Sequence, residues 1–282
     1  MRHDEPVMDA RQPHRQGYRL EFAEEFAGET LDPARWLPAH LPQWSSRSQA
    51  AARYRLGDGR LVLQILEDQA PWCPEFDGAT KVSSLQTGVY SGAAGTGVGQ
   101  HRFDPRVVVR EPQAPARLYT PRYGYVEMRA QAVADPRNMV ALWMIGYEDA
   151  PERSGEICIC EIFGSDVGPG RVRVGMGVHP FNDPKLVDDF ARVTLDIDAT
   201  EFHVYAAGWT PTHVDFFVDG QRVRSVGQSP DYPMQLMLGI YEFGGERDAG
   251  ALTTPYPKEF VVDYLRVFRP VAGYPDPGRQ GG

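Results

Sequence analysis

The sequence predicts an all-β protein built as an antiparallel β-sandwich, and three observations carry that expectation. First, 29 Gly and 24 Pro are spread over 282 residues as punctuation between short runs rich in Val, Ile, Leu, Tyr and Phe. Second, no amphipathic stretch holds the ~3.6-residue helical period beyond about three turns. Third, Asp-Gly pairs stand where strands must reverse, since type I′ turns need φ > 0 at both central residues. The order lacks the alternation of strand and helix that a parallel sheet requires. A chain of this length fits one large sandwich.

The elements follow in chain order. Residues 1–17 and 271–282 carry Pro, Gly and charge and read as tails around a single domain over 18–270. Asp58-Gly59 turns the chain into a strand at Leu61–Leu66. Gly92 to Pro121 is irregular, with few periodic apolar positions, and is expected to be a long surface loop of the kind that borders binding sites. Strands follow at Gly124–Ala130, Val140–Ile145, Phe202–Ala207 and Val214–Val218, then a hairpin turn at Asp219-Gly220 and a last strand at Phe260–Phe268. No internal repeat or second domain is visible.

Charge narrows the partners. Lys and Arg number 29 against 38 Asp and Glu, a formal net charge of −9, so no basic surface is present to neutralise phosphates. Nucleic acid and anionic membranes are excluded as expected partners, and a neutral polysaccharide is compatible with the charge. Neither a signal-peptide core in the first residues nor a run long enough to span a bilayer is present. The residues leave the compartment open. Cys73, Cys158 and Cys160 are an odd set without a paired framework and are expected to be free thiols; no second pair completes a zinc site.

The sharpest feature is the run Gly155-Glu156-Ile157-Cys158-Ile159-Cys160-Glu161-Ile162-Phe163-Gly164, in which two carboxylates interrupt an apolar strand. Buried charge requires a partner or a purpose. In a regular strand Glu156, Cys158 and Cys160 share one face and Glu161 takes the other. One β-bulge between them returns Glu161 to the face of Glu156, with the two Cα atoms on the order of 13 Å apart. Side chains leaning together then reach the ~5 Å gap that separates nucleophile and acid/base in retaining glycosidases. The alternative is that each Glu meets an Arg or a backbone donor at a strand end.

The chain resembles glycoside hydrolase family 16, whose members share a concanavalin-A-like jelly roll with a concave substrate groove. The family motif Glu-x-Asp-x-x-Glu is matched by Glu156, Cys158 and Glu161. YRLEFAEEFAGETLDPARW resembles the family's opening strand, YGYVEMRAQAVADPRNMVALWMIG the strand pair before the motif, and GWTPTHVDFFVDGQRV and FVVDYLRVF the closing strands. The resemblance implies a retaining endo-glycosidase acting on a β-linked polysaccharide, most simply β-1,3-glucan. Glu156 is then the nucleophile and Glu161 the general acid/base, with His179 assisting Glu161 or a sugar hydroxyl. Tyr241 and Trp143 are expected to stack on sugar rings, with Tyr123 and Trp44 as further candidates and Trp36 and Trp209 in the core.

Two departures bear on activity and specificity: Cys158 stands where the family has Asp, and Met139 where many members place a cleft Trp. The resemblance also implies a structural calcium held by Glu25, the Gly59 carbonyl and Asp263, with water completing the shell. It implies no cofactor for catalysis, a monomer, and an extracellular setting. A non-catalytic carbohydrate-binding protein and a transglycosylase are the alternative readings on the same fold.

Overall fold

The computed structural model describes residues 15–244 and 254–274. Alternation of apolar side chains decides how its strands are used. In Asn138–Gly146, Val140, Leu142 and Met144 enter the main core, while Met139, Ala141, Trp143 and Ile145 join a second cluster on the opposite face. Met234–Glu242 divides in the same way, with Leu236, Leu238 and Ile240 on one side and Met237 and Tyr241 on the other. Both strands are buried on both faces because the outer face of their sheet is roofed by loops.

Two antiparallel sheets pack around the main core. The larger, of eight strands, runs in the order Gln221–Val226, Val214–Val218, His203–Trp209, Gly124–Gln131, Lys258–Pro270, Arg60–Ile65 and Arg53–Gly57, with Tyr18–Glu24 also paired to Lys258–Pro270. The second, of seven strands, is ordered Val167–Gly168, Arg171–His179, Glu156–Phe163, Asn138–Gly146, Met234–Glu242 and Lys81–Gln86, with Asp189–Leu195 on Arg171–His179. Helix is confined to Pro74–Asp77 and two short 3₁₀ turns among the described residues. The expected sandwich and its expected strands are present, Val214–Val218 with the same bounds.

Local chemistry accounts for the reversals. Asp58 and Gly59 have φ of 53° and 66°, and Asp219 and Gly220 have 49° and 77°, so both Asp-Gly pairs carry positive φ at both central positions. The irregular segment 92–121 is a long loop, closed at its base by the two-stranded ribbon of Gly88–Val89 with Ala116–Arg117. Trp36 and Trp209 are core residues; the Trp209 Nε1–H donates to Ser229 Oγ at 2.9 Å.

The expected tails need correction. Residues 1–14 and 275–282 lie outside the described residues, but 15–17 and 271–274 are tied to the sandwich: the Val271 N–H donates to Gly17 O at 2.9 Å, and Tyr274 packs edge-on against Tyr123. All three cysteines are free and buried.

Candidate active site

A bulge in the strand Glu156–Phe163 builds the site. Against Asn138–Gly146, Trp143 pairs with Cys158 and the next partners are Leu142 and Cys160, so Ile159 is the extra residue. Against Arg171–His179, Gly177 pairs with Cys158 and Gly175 with Glu161. Ile159 and Cys160 both turn into the core as a result, and Glu161 returns to the cleft face beside Glu156 and Cys158. Close approach of the neighbouring strands demands glycine here. A Cβ on Gly177 would sit 2.2 Å from the Asp189 carbonyl oxygen, and one on Gly175 would sit 2.5 Å from the Phe190 ring.

The cleft holds about 370 Å³ on the outer face of the seven-stranded sheet. Met139, Ala141, Trp143 and Tyr241 form its floor, and the Trp143 Nε1–H donates to Tyr241 Oη at 3.1 Å. Loops add Trp72 and His40 from the N-terminal half and His101 and Phe103 from the 92–121 segment. Tyr241, Phe243 and Phe163 form a row of nearly parallel rings, 6.5 and 5.9 Å between successive centroids. Such flat apolar faces match the C–H faces of sugar rings.

Both carboxyls are held above the ordinary carboxylate range. Glu156 is 7% exposed; burial first, and then the charge of Glu161, push it up to about 8, against a hydrogen bond from the Cys158 thiol. Burial also raises Glu161, with His179 and Arg192 opposing. The Cys158 thiol is driven well up by burial and by both carboxylates, so it stays protonated and can only donate to Glu156 or accept weakly. At neutral pH the raised Glu156 carboxyl is largely protonated. His40 and His101 are both neutral there, lowered by burial to about 3 and about 4 respectively.

Seven of the residues singled out by sequence meet in this cleft: Glu156, Cys158, Glu161, His179, Tyr241, Trp143 and Met139. His179 faces Glu156 across the strand pair, and its Nδ1 meets Asp188 Oδ1 at 2.5 Å while its ring stacks on Phe190. Two aromatic candidates are not in the cleft. Tyr123 packs in the main core against Trp209 at 5.2 Å. Trp44 has no exposed surface; the long loop covers it, and its Nε1–H donates to Gln100 O at 3.0 Å. Sequence reasoning missed His40, Trp72, His101, Phe103, Phe163, Phe181 and Phe243, of which all but Phe163 sit on loops with no periodicity to betray them.

The calcium ligands expected at Glu25, Gly59 and Asp263 do not fit a cation. Arg266 holds both oxygens of Glu25 at 2.7 Å, and Arg129 holds Asp263 at 2.6 Å, so two guanidinium groups already balance those carboxylates. No group of three or more His, Cys, Asp or Glu suited to a metal exists among the described residues.

A pair of carboxyls both raised above the ordinary range, beside an aromatic cleft, is equipped for acid/base and nucleophilic chemistry at an acetal carbon. Comparison with known proteins agrees. The profile of Glycosyl hydrolases family 16 matches residues 118–258, half of the chain, including the bulged strand. The chain belongs to glycosyl hydrolase family 16. A curated relative, the β-glucanase of Rhodothermus marinus, is 29% identical over 169 residues, 52% of this chain and 57% of that protein. Among solved structures, the GlcNAcα1-4Gal-releasing endo-β-galactosidase of Clostridium perfringens is 32% identical, with a TM-score of 0.77 over 94% of this chain and 66% of that one. The laminarinase of Flavobacterium sp. UMI-01 shares the fold, with a TM-score of 0.60 at 20% identity over 89% of this chain and 100% of its own. This family 16 chain thus spans under two thirds of the length of the first two relatives.

Proposed function

We propose that this family 16 chain is a retaining endo-β-glycosidase, with Glu156 as nucleophile and Glu161 as general acid/base. The observation that carries the reading is the bulge at Ile159–Cys160, which brings a buried carboxyl, Glu156, and a half-buried one, Glu161, to one face of one strand. Glu161 protonates the leaving glycosidic oxygen while a Glu156 oxygen bonds to the anomeric carbon; water, deprotonated by Glu161, then cleaves the ester. That cycle requires Glu161 protonated and Glu156 ionised. A positive charge developing on the sugar beside Glu156 favours its ionised form.

For the substrate, an internal β-galactoside linkage is the first choice. The 32% identity with an endo-β-galactosidase extends over 94% of this chain and is well above the 18–20% shared with laminarinases. Met139 in place of a cleft Trp accords with a cleft not built for a glucan. β-1,3-Glucan is the second reading, supported by the β-glucanase relative. Reducing-end release from β-galactosyl oligosaccharides, β-1,3-glucan and mixed-linkage glucan, each with Glu156→Gln as control, tests both. Activity on β-galactosides alone supports the first; activity on β-1,3-glucan alone replaces it with the second. New oligosaccharides longer than the substrate would indicate a transglycosylase. Tight binding without turnover on any substrate would make the chain a carbohydrate-binding protein.

A further inference from the structure

Glu156 must ionise to act as nucleophile although burial and Glu161 oppose it, and one side chain is positioned to reverse that balance. His101 reaches the cleft from the 92–121 loop. Its Nδ1 is buried without a hydrogen-bond partner among the described residues and lies 3.8 Å from Glu156 Oε2. The imidazole is held there with unusual care. His101 has φ of 50°, and its backbone N–H donates to Glu148 Oε1 at 2.5 Å; Glu148 itself has φ of 56°. The ring meets Trp143 and Phe181 edge-on, both at 4.9 Å, and Phe181 has φ of 46°. Three non-glycine residues in the left-handed region around one imidazole mark a place where the backbone is constrained to aim a side chain.

We infer that His101 is a positioning residue for Glu156, donating its Nδ1–H to the Glu156 carboxylate when the cleft is occupied and thereby making Glu156 the ionised member of the pair. The inference rests on the glycosidase reading above. Hydrogen bonds at such sites are often long without substrate and tighten with it, and 3.8 Å needs to shorten by less than about 1 Å to become one. Burial keeps the ring neutral, so it carries a single N–H and its second nitrogen is an acceptor for a sugar hydroxyl. The charged and titratable groups around Glu156 are Cys158 and Glu161 on its own strand, His179 on the next, Tyr241 on the floor and His101 above. Cys158 adds only a weak S–H donor where the family motif has a carboxyl group.

The test compares His101→Asn, whose amide N–H can take the place of Nδ1–H and which tolerates positive φ, with His101→Leu. His101→Leu is expected to lower kcat/KM about 10- to 100-fold, with KM little changed, because a hydrogen bond to a charged group is lost. The acidic limb of its pH profile should move up by as much as about one unit, since Glu156 loses a donor that favours ionisation. His101→Asn should recover most of the rate and the wild-type limb. Equal losses in both variants with an unmoved limb would make His101 merely structural and overturn the inference. Imidazole ¹⁵N NMR of the wild-type protein needs no variant: the account requires a neutral His101 with the proton on Nδ1 from pH 5 to 8, and a proton on Nε2 alone would refute it. A wild-type protein inert on every β-linked substrate would instead remove the glycosidase reading, and this inference with it.

Discussion

Glu156→Gln should make the protein more stable while abolishing its activity. In the folded state the carboxyl is raised from 4.5 to about 8, chiefly by burial. An acid with a raised folded pKa binds its proton more tightly when folded. The resulting penalty is absent below the unfolded value of about 4.5, grows as pH rises, and levels off above about 8. At pH 7 the gap between 4.5 and 7 corresponds to about 3 kcal/mol, and some of it is returned because the Gln amide must also be buried. The net gain is therefore about 2 kcal/mol, or roughly 4–8 °C in melting temperature for a domain of this size. Removing the Glu161 charge also relieves Glu156, so Glu156→Gln and Glu161→Gln should not be additive. Urea unfolding of both single variants and the double variant at pH 4, 5.5, 7 and 8 measures this. The reasoning fails if Glu156→Gln is no more stable than wild type at pH 7 to 8, or if its advantage is the same at pH 4.

Three further outcomes follow from the same geometry. Glu156→Gln and Glu161→Gln should each reduce hydrolysis by more than about 10³-fold, and azide should restore turnover to Glu156→Gly as an inverted glycosyl azide, which chromatography of the products reveals. Cys158→Asp places a third carboxyl between Glu156 and Glu161; protonated, it donates more strongly than the thiol. Its acidic limb should therefore shift to lower pH, while stability falls by about 1–3 kcal/mol at pH 7 and recovers towards pH 4; an unchanged pH profile would speak against this. Gly177→Ala drives a Cβ into the Asp189 carbonyl and the Phe190 Cα, both backbone atoms, and should cost at least about 2 kcal/mol in urea unfolding, a value that an unchanged midpoint would contradict.

What could be read from the sequence was what depends on local pattern. Period-two alternation marks strands such as Val214–Val218, Asp-Gly pairs fix their turns, and the odd spacing of Glu156 and Glu161 requires a bulge before both can face one cleft. Strands whose polar residues are satisfied by distant partners were not legible. Lys81–Gln86 hides Ser83, Ser84 and Gln86 in the interior, where Ser83 Oγ donates to Gln64 O and Gln86 Oε1 accepts the Leu41 N–H. The same limit explains Trp44 and Tyr123, since aromatic bulk suits a core as well as a cleft and only the loop covering Trp44 decides. Nor could the sequence show that Arg129 and Arg266 pair across strands with Asp263 and Glu25, two of the positions expected to hold calcium. His101 had no pattern at all, because a loop residue held at positive φ by Glu148, 47 positions away, is visible only in three dimensions.

The covalent step tests the central claim most directly. A 2-deoxy-2-fluoro-β-glycoside with a good leaving group, in the galactosyl and glucosyl forms, should inactivate the protein by forming a long-lived ester. Mass spectrometry of the digested protein is predicted to find one glycosyl unit on Glu156, in the peptide containing Gly155-Glu156-Ile157. A label on Glu161 instead, or no label while substrate is hydrolysed with inversion at the anomeric carbon, would contradict the account.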